Sequence, residues 1–544
     1  MKKIFSLTTP RVWWVLTVLG VLIYSNTFKS AFVCDDPIVI SQNPAIRHLD
    51  LWNLWQAFNT RFVVGLSLAL NYWLGKENVV GYHLFNLVVH ILNSFLVYRL
   101  VCLTFSTPRM SKSSLDPKLI GFLTALVFLT HPLQTQGVTY IWQRATSLAA
   151  LFYIGALVFY IKSRLKPSGI HYALCLLLTV WGMFTKEIVF TLPFAILLYE
   201  FIFLKELSSP RRRGSRLDLI PAFAGMTLLA TLFIIPWGLT QTNEHTLGLL
   251  RPKNTSMRHQ GNFIKGIFEM TRAVSDDKVS RKDFILTELN VLRTYLRLFI
   301  LPVRQSVDYD YPRAGSLLET ETLLSFLLLL SLLGLGFILL KKHPLLSFAI
   351  FWFFLTVSVE ALVAQEEFIL EHRMYLPMAG LAFGVVYLMG CLFKNKPRGL
   401  AVLLLGIVSA YSFLTFQRNF VWRDEFSLWD DAVKKAPHKA RTYKNRGSAS
   451  GQKGQFDKAL ADLDKAIELQ PDYSSAYFVR GSVYQKKGLL DQALLDFNKA
   501  IELKPAFAEA YNNRAYLYFS RKEYDKSRQD MKKAQSLGLA VNSQ

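Results

Sequence analysis

Two phrases near the end of the chain decide the fold of its tail: Asp464-Lys-Ala-Ile-Glu-Leu-Gln-Pro471 and Asn498-Lys-Ala-Ile-Glu-Leu-Lys-Pro505. A looser copy, Asp431-Ala-Val-Lys-Lys-Ala-Pro437, precedes them. Successive prolines in the three copies are 34 residues apart. Self-similarity at a fixed interval of this size is typical of a solenoid of stacked repeats.

Other positions repeat at the same interval. They are Tyr443, Tyr477 and Tyr511, then Gly447, Gly481 and Ala515. A 34-residue period with proline after the second helix predicts tetratricopeptide repeats over 438–544. We place them at 438–471, 472–505 and 506–539, with 532–544 as a cap. Their concave face is expected to bind a protein or peptide partner; the alternative is a packing platform for the rest of the chain.

The preceding 400 residues are dominated by apolar runs. The 544-residue chain is 52% hydrophobic and only 19% charged. A membrane-spanning helix needs about 20 mostly apolar residues. Eleven segments are candidate spans: 12–28, 81–105, 119–133, 146–161, 171–184, 188–204, 218–239, 320–340, 344–364, 374–393 and 399–416. The sequence predicts an all-α protein: a polytopic membrane domain followed by a short α-solenoid.

The net charge of +23 lies largely in short loops between these runs, so it indicates topology rather than nucleic-acid binding. With eleven spans, all the main basic clusters fall on one side, which the positive-inside rule makes cytoplasmic. They are Lys2, Lys3 and Arg11; Arg109, Lys112 and Lys118; Lys162, Arg164 and Lys166; Lys205 to Arg216; Lys341 and Lys342; and Lys394, Lys396 and Arg398. The N-terminus is then cytoplasmic and the repeats lie outside, in the periplasm if the membrane is a bacterial inner membrane.

This topology defines the expected domains. Residues 1–418 form the membrane domain, with outer loops 29–80 and 240–319, and 419–437 form a linker and partial helix. The N-terminal run is interpreted as an uncleaved first span rather than a signal peptide, because it lacks a small-x-small cleavage site. The four cysteines form no close pair, which argues against a disulfide framework or zinc site.

Asp35 and Asp36 lie just after the first span. Adjacent carboxylates at a membrane edge suit a general base for an acceptor hydroxyl, and they also suit a divalent-metal ligand pair. The alternative is a solvated turn before Pro37. No other metal site is predicted.

Three further clusters fall on the same predicted face. Arg144 follows His131 and carries a donor fork suited to phosphate, although an interfacial anchor is the alternative. Lys186 and Glu187 join two spans, as a phosphate-facing lysine or as a simple ion pair. Glu371, His372, Arg373 and Tyr375 bring an acid, an imidazole and a guanidinium together, with helix capping and packing as the alternative. No nucleotide-binding loop is present.

Taken in order, these motifs resemble a known family. The residues that carry the resemblance are Asp35-Asp36, Tyr82-His83 with Asn86 and His90, His131-Pro132 with Gln143-Arg144, Lys186-Glu187, Asn290–Tyr311, Glu371-His372-Arg373 with Tyr375, and the tail repeats. The chain is similar to the transmembrane-and-tetratricopeptide-repeat O-mannosyltransferases, as a bacterial relative. One departure is that its repeat array is short.

The resemblance implies the GT-C architecture of glycosyltransferases that use a polyprenyl-phosphate sugar outside the membrane. It makes Asp35 or Asp36 the catalytic carboxylate. Arg144, Lys186, His372 and Arg373 become candidate ligands of the donor phosphate. The supporting residues would be His131, Glu187, Glu371, His90 and Tyr375.

The leading hypothesis is therefore sugar transfer, with mannose as one candidate, from the lipid-linked donor to a hydroxyl of a protein Ser or Thr or of an envelope glycan. The donor is a co-substrate, no cofactor is assigned, and a divalent metal is left open. A non-enzymatic membrane-anchored repeat scaffold for an envelope complex is the main alternative. A lipid-intermediate transporter ranks third because few charges lie deep within the spans.

Overall fold

The computed structural model describes residues 8–204, 280–362 and 367–539. Within them the secondary structure consists of helices, and no strand is present. The all-α prediction is confirmed. The chain divides into two compact units, of which the first includes most of residues 1–423 and the second includes 306–310 and 424–544.

The first unit is a bundle of helices. Its helices are α1 (Thr9–Tyr24), α2 (Leu51–Phe58), α3 (Phe62–Gly75), α4 (Val79–Phe105), α5 (Pro117–Thr130), α6 (Thr135–Thr139), α7 (Arg144–Leu165), α8 (Gly169–Met183), α9 (Leu192–Tyr199), α10 (Arg281–Ile300), α11 (Thr320–Leu339), α12 (Pro344–Leu362), α13 (Pro377–Leu392) and α14 (Pro397–Val421). Helix α4 packs against α1, α5 and α7. Helices α5, α12, α13 and α14 begin with proline, which is pre-organised for the first turn.

Ten of the eleven predicted spans coincide with helical segments, and 218–239 lies outside the described residues. Six of the described helical segments are long and apolar enough to cross a membrane: Val79–Phe105, Ile141–Leu165, Glu187–Leu204, Thr320–Leu339, Pro344–Ala361 and Pro397–Val421. Three shorter apolar helices are α5, α8 and α13. The first unit thus has the long apolar helices of a helical membrane protein. The count of eleven spans stays a prediction.

The second unit is a series of antiparallel helix pairs. Its helices are α15 (Glu425–Lys435), α16 (Ala440–Gln452), α17 (Phe456–Leu469), α18 (Ser474–Lys486), α19 (Leu490–Leu503), α20 (Ala508–Ser520) and α21 (Tyr524–Ser536). Helix α16 packs on α17, α18 on α19, and α20 on α21.

The repeating glycines lie where the two helices of a pair approach each other closely. A Cβ atom at Gly447 would lie 2.9 Å from the Leu463 side chain, and one at Gly481 would lie 2.9 Å from the Phe497 ring. Any larger residue would therefore push the two helices of a pair apart. This contact explains why glycine recurs at the predicted period.

Candidate functional site

The two adjacent aspartates have different surroundings. Asp36 is buried, and its carboxylate oxygens accept hydrogen bonds from the backbone N–H of Trp142 (2.7 Å) and of Val33 (3.2 Å). Asp35 is exposed, and its Oδ2 accepts a hydrogen bond of 2.7 Å from the Tyr140 hydroxyl. Asp35 is therefore the carboxylate that a substrate can reach, while Asp36 fastens this turn to the segment around Trp142.

Burial also changes the acidity of Asp36. It raises the pKa of the Asp36 carboxyl to about 8, and it outweighs the two backbone donors, which lower the pKa. The neighbouring charge of Asp35 raises it further. The position of Asp36 in the fold thus favours the protonated form of its carboxyl.

Arg144 lies fully beneath the surface. Its Nη1 donates to Asn71 Oδ1 at 2.7 Å and its Nη2 to the Tyr82 carbonyl at 3.2 Å, while the guanidinium carbon lies 4.6 Å from the centre of the Phe85 ring. Its hydrogen-bond partners among the described residues are neutral, and Asp36 is an acid that interacts with it electrostatically. The structure thus gives Arg144 a buried, hydrogen-bonded position, and its predicted contact with a donor phosphate stays a prediction.

Lys186 and Arg373 meet at one buried acid. Lys186 Nζ lies 2.6 Å from Glu360 Oε1 and also donates to Thr146 Oγ1 at 3.0 Å. Arg373 Nε lies 3.5 Å from Glu360 Oε2, and its Nη1 lies 3.6 Å from Glu288 Oε1. Glu360 therefore bridges two cations that lie far apart in the sequence. Burying such charges requires this pairing.

His372 lies beside the same cations. Its backbone N–H donates to Gln136 Oε1 at 2.7 Å, and its side chain is buried. Burial, followed by the charges of Lys186, Arg373 and Arg61, lowers the pKa of His372 well below its usual value. The imidazole is therefore neutral at physiological pH and can donate or accept a hydrogen bond.

Glu371 points to different partners from those of His372. Its Oε2 accepts a hydrogen bond of 3.0 Å from Gln305 Nε2, and its Oε1 lies 3.9 Å from Arg418 Nη2. Glu371 is almost fully buried. It thus ties several segments of the first unit together rather than joining the Lys186–Arg373 pair.

The remaining supporting residues are part of the core. His90 bridges the Tyr375 hydroxyl (2.7 Å) and the Leu129 carbonyl (3.1 Å). His131 Nε2 lies 2.9 Å from the Phe299 carbonyl, while its Nδ1 accepts a hydrogen bond from the Leu133 N–H. Both imidazoles have both nitrogens engaged, so in this structure they orient and join helices.

Glu187 faces outward and has a partner that sequence analysis missed. Arg61 Nη2 donates to Glu187 Oε1 at 3.2 Å, and the Arg61 guanidinium lies 5.6 Å from the centre of the Trp142 ring. Arg61 ends the short, partly buried turn Asn59–Arg61 and fits no motif. Glu360, also missed, could have been found as an acid within an otherwise apolar helix.

These contacts join the predicted motifs into one chain of neighbours. Asp36 binds the Trp142 backbone, Trp142 stacks with Arg61, and Arg61 pairs with Glu187. Glu187 is adjacent in sequence to Lys186, and Glu360 pairs with both Lys186 and Arg373. The aspartate turn and the cation cluster thus belong to one connected region of the first unit.

A metal centre needs several His, Cys, Asp or Glu side chains close together. No three His, Cys, Asp or Glu side chains among the described residues are grouped as a metal ion would require. A divalent metal at Asp35 and Asp36 stays a prediction, and both oxygens of Asp36 already accept hydrogen bonds from backbone donors.

A helical membrane unit joined to tetratricopeptide repeats defines the class of this protein. A family model described as TPR repeat matches 447–488 and 486–522, and one described as tetratricopeptide repeat matches 508–537. Crystal structures of MamA (24% identity, 28% of this chain, 85% of that chain, TM-score 0.20) and of YrrB (18% identity, 36% and 85%, TM-score 0.19) are also similar.

Curated relatives confirm the family resemblance. The chain is similar to human Protein O-mannosyl-transferase TMTC3, with 24% identity over 482 residues, 82% of this chain and 50% of the relative. Protein O-mannosyl-transferase F38B6.6 of Caenorhabditis elegans shares 23% identity over 81% of this chain and 60% of its own length. Human TMTC1 shares 24% identity over 81% and 53%. The chain thus spans about half to three fifths of the length of these relatives.

Proposed function

We propose that this protein is a membrane glycosyltransferase that moves a sugar, with mannose as the leading candidate, from a polyprenyl-phosphate donor to an acceptor hydroxyl on the outer side of the membrane. The observation that carries the proposal is the exposed Asp35 carboxylate, held by the Tyr140 hydroxyl in the same connected region as the cations around His372. The names of the relatives support the reaction class.

The residues divide the chemistry between them. Asp35 accepts the proton of the acceptor hydroxyl while the hydroxyl oxygen attacks the anomeric carbon of the sugar. The bond between that carbon and the phosphate oxygen breaks, and the lipid phosphate leaves with the electron pair. The cations beside His372 stabilise the developing negative charge on the phosphate.

The tail is assigned a protein or peptide partner in this proposal. Tyr516 and Phe519 on α20 are 52% and 62% exposed. Exposed aromatic side chains are enriched where proteins bind one another. The acceptor itself, or a protein that delivers it, fits this surface.

Asp35→Asn tests the catalytic assignment. We expect sugar transfer from a polyprenyl-phosphate mannose to fall by about 10²–10⁴-fold, because an amide cannot take the acceptor proton. The measurement is transfer by the purified full-length chain. Asp50→Asn is the matched control in the same outer loop, since Asp50 caps α2 and asparagine is also a good N-cap.

Wild-type activity in Asp35→Asn would refute the assignment. If the protein is instead a scaffold, the Asn variant also supports growth or envelope integrity as the wild type does, while removal of the repeats abolishes function. The two hypotheses therefore predict opposite results for Asp35→Asn.

A further inference from the structure

Arg61 occupies a fixed position at the edge of the cation cluster. It ends the short turn Asn59–Arg61 between α2 and α3, where Asn59 has a φ of 42°. Its guanidinium contacts both the Trp142 ring and the Glu187 carboxylate. A left-handed residue and two specific contacts thus define where this cation lies.

The three cations that act on His372 differ in how freely they can meet a ligand. The side chain of Lys186 is 8% exposed and that of Arg373 is 2% exposed, and both pair with buried Glu360. The side chain of Arg61 is 35% exposed and that of its partner Glu187 is 51% exposed. Of these three cations, Arg61 is therefore the one at the surface.

The strength of each pairing follows from its exposure. Separating a buried ion pair leaves an uncompensated charge, so Lys186 and Arg373 are held to Glu360. The Arg61–Glu187 pair separates at a lower cost than a buried pair, because water can solvate each of the two charges. A phosphate can replace Glu187 with two parallel charge-assisted hydrogen bonds to the same guanidinium.

A second observation indicates a ligand at this place. The His372 Nδ1 atom is buried and has no hydrogen-bond partner among the described residues. Buried polar nitrogens in proteins are normally paired. An acceptor group bound beside Arg61 and His372 would satisfy it.

From this geometry we infer that Arg61 is the residue that directly binds the phosphate of the lipid-linked donor, exchanging Glu187 for the phosphate when the donor arrives. Lys186 and Arg373 then form the fixed positive layer behind it, and Glu187 holds Arg61 in position in the free enzyme. The inference rests on the proposed function and assigns a binding residue that the sequence motifs did not include.

The test is direct binding of undecaprenyl phosphate to the detergent-purified full-length chain, measured by native mass spectrometry. Arg61→Ala is expected to weaken binding about ten- to a hundred-fold, the usual effect of losing hydrogen bonds to a charged group. Arg61→Lys keeps the positive charge but lacks the two-pronged guanidinium, so its affinity is expected to lie between those of the wild type and Arg61→Ala. Arg47→Ala is the matched control, because Arg47 is exposed in the same loop and donates to the Ser41 carbonyl, away from the cation cluster.

Glu187→Gln provides the readout that a purely structural role would not give. Because Glu187 competes with the phosphate for Arg61, its neutralisation is expected to tighten binding several-fold rather than weaken it. This variant and Arg61→Lys also carry the test if Arg61→Ala does not fold.

The outcomes separate the inference from the function on which it rests. If the wild type binds undecaprenyl phosphate no better than undecaprenol, the proposed donor is wrong. If the wild type binds the phosphate and Arg61→Ala binds it as tightly as Arg47→Ala does, the donor proposal stands and the role of Arg61 is refuted. Weakened binding in Glu187→Gln likewise overturns the exchange of partners.

Discussion

At the scale of single residues, the same side chain acquires different chemistry according to its burial. Asp35 and Asp36 are neighbours, yet one carboxylate is exposed and the other accepts two backbone hydrogen bonds in a buried turn. Cys34, the residue directly before this turn, has a positive φ of 55°. The aspartate pair that the motif identified is therefore one candidate base and one structural anchor.

The raised pKa of Asp36 predicts how stability depends on pH. In the unfolded chain the carboxyl ionises near pH 4, whereas in the folded protein its pKa is about 8. The folded state thus binds this proton more tightly than the unfolded state does. The contribution of the Asp36 carboxyl to the free energy of unfolding is therefore complete below about pH 4 and is lost as the pH rises to about 8.

We therefore expect the melting temperature of the detergent-solubilised wild type to fall between pH 5 and pH 8. Asp36→Asn, which cannot ionise, should show a smaller fall over the same range. Equal pH dependence in the two proteins would refute the buried-acid assignment. Asp50→Asn serves as the control, since Asp50 lies in an exposed cap.

At the scale of elements, a ladder of arginines joins successive repeat helices. Arg480 on α18 forms two hydrogen bonds of 2.8 Å with Asp496 on α19, and its Nη1 reaches Asp464 on α17 at 2.6 Å. Arg446 and Arg514 make equivalent contacts one repeat earlier and one repeat later. Each arginine thus connects its own helix pair to the preceding helix.

Replacement of one arginine should loosen the array locally. Arg480→Ala leaves Asp496 buried without its bidentate partner, and we expect a loss of about 1–3 kcal/mol in the local free energy of opening. Faster amide hydrogen exchange in α17, α18 and α19 of the full-length chain would report it. Lys499→Ala is the control, because its pair with Glu502 is exposed and contributes at most about 1 kcal/mol.

The arginine ladder also shows which features of the repeats can be predicted from the repeat period and which cannot. The repeat period predicted the helix pairs and the glycine positions, because each depends on residues within one repeat. Arg446, Arg480 and Arg514 share that period and could have been found from it. Their contacts with side chains of two different helices, which are aspartates except for Asn498 beside Arg514, required the stacking of the repeats.

At the scale of the whole molecule, the distribution of positive charge predicts on which side of the membrane the repeats lie. An odd number of spans with basic loops inside places the repeats outside. Ten of the predicted spans coincide with helical segments, while 218–239 lies outside the described residues. A reporter placed after the last predicted span therefore tests the predicted topology.

A reporter fused after Gln544 provides that test. An alkaline phosphatase fusion, which is active only outside the cytoplasm, should be active, and a fluorescent protein that requires the cytoplasm should be dark. A fusion after Lys342, in a basic loop, should give the opposite pair of results. Cytoplasmic signal at the C-terminus would overturn both the eleven-span topology and the outer location of the repeats.

The sequence by itself determined the class of this protein: a helical membrane domain followed by tetratricopeptide repeats, with its chemistry-bearing motifs in a recognisable order. Apolar run length, repeat period and loop charge are local properties, so they can be read without knowing which segments touch. The resemblance to the O-mannosyltransferases rests on the same local motifs.

Only the tertiary structure decided which side chains of those motifs a ligand can contact. Burial of Asp36 depends on Trp142, the fixed position of Lys186 depends on Glu360, and Arg61 becomes part of the cation cluster through Glu187. Each of these partners is distant in sequence, and no local pattern specifies the distance between them. The physical reason is that desolvation and ion pairing act through space, so the packing of the helices determines which charge is fixed and which is free to bind.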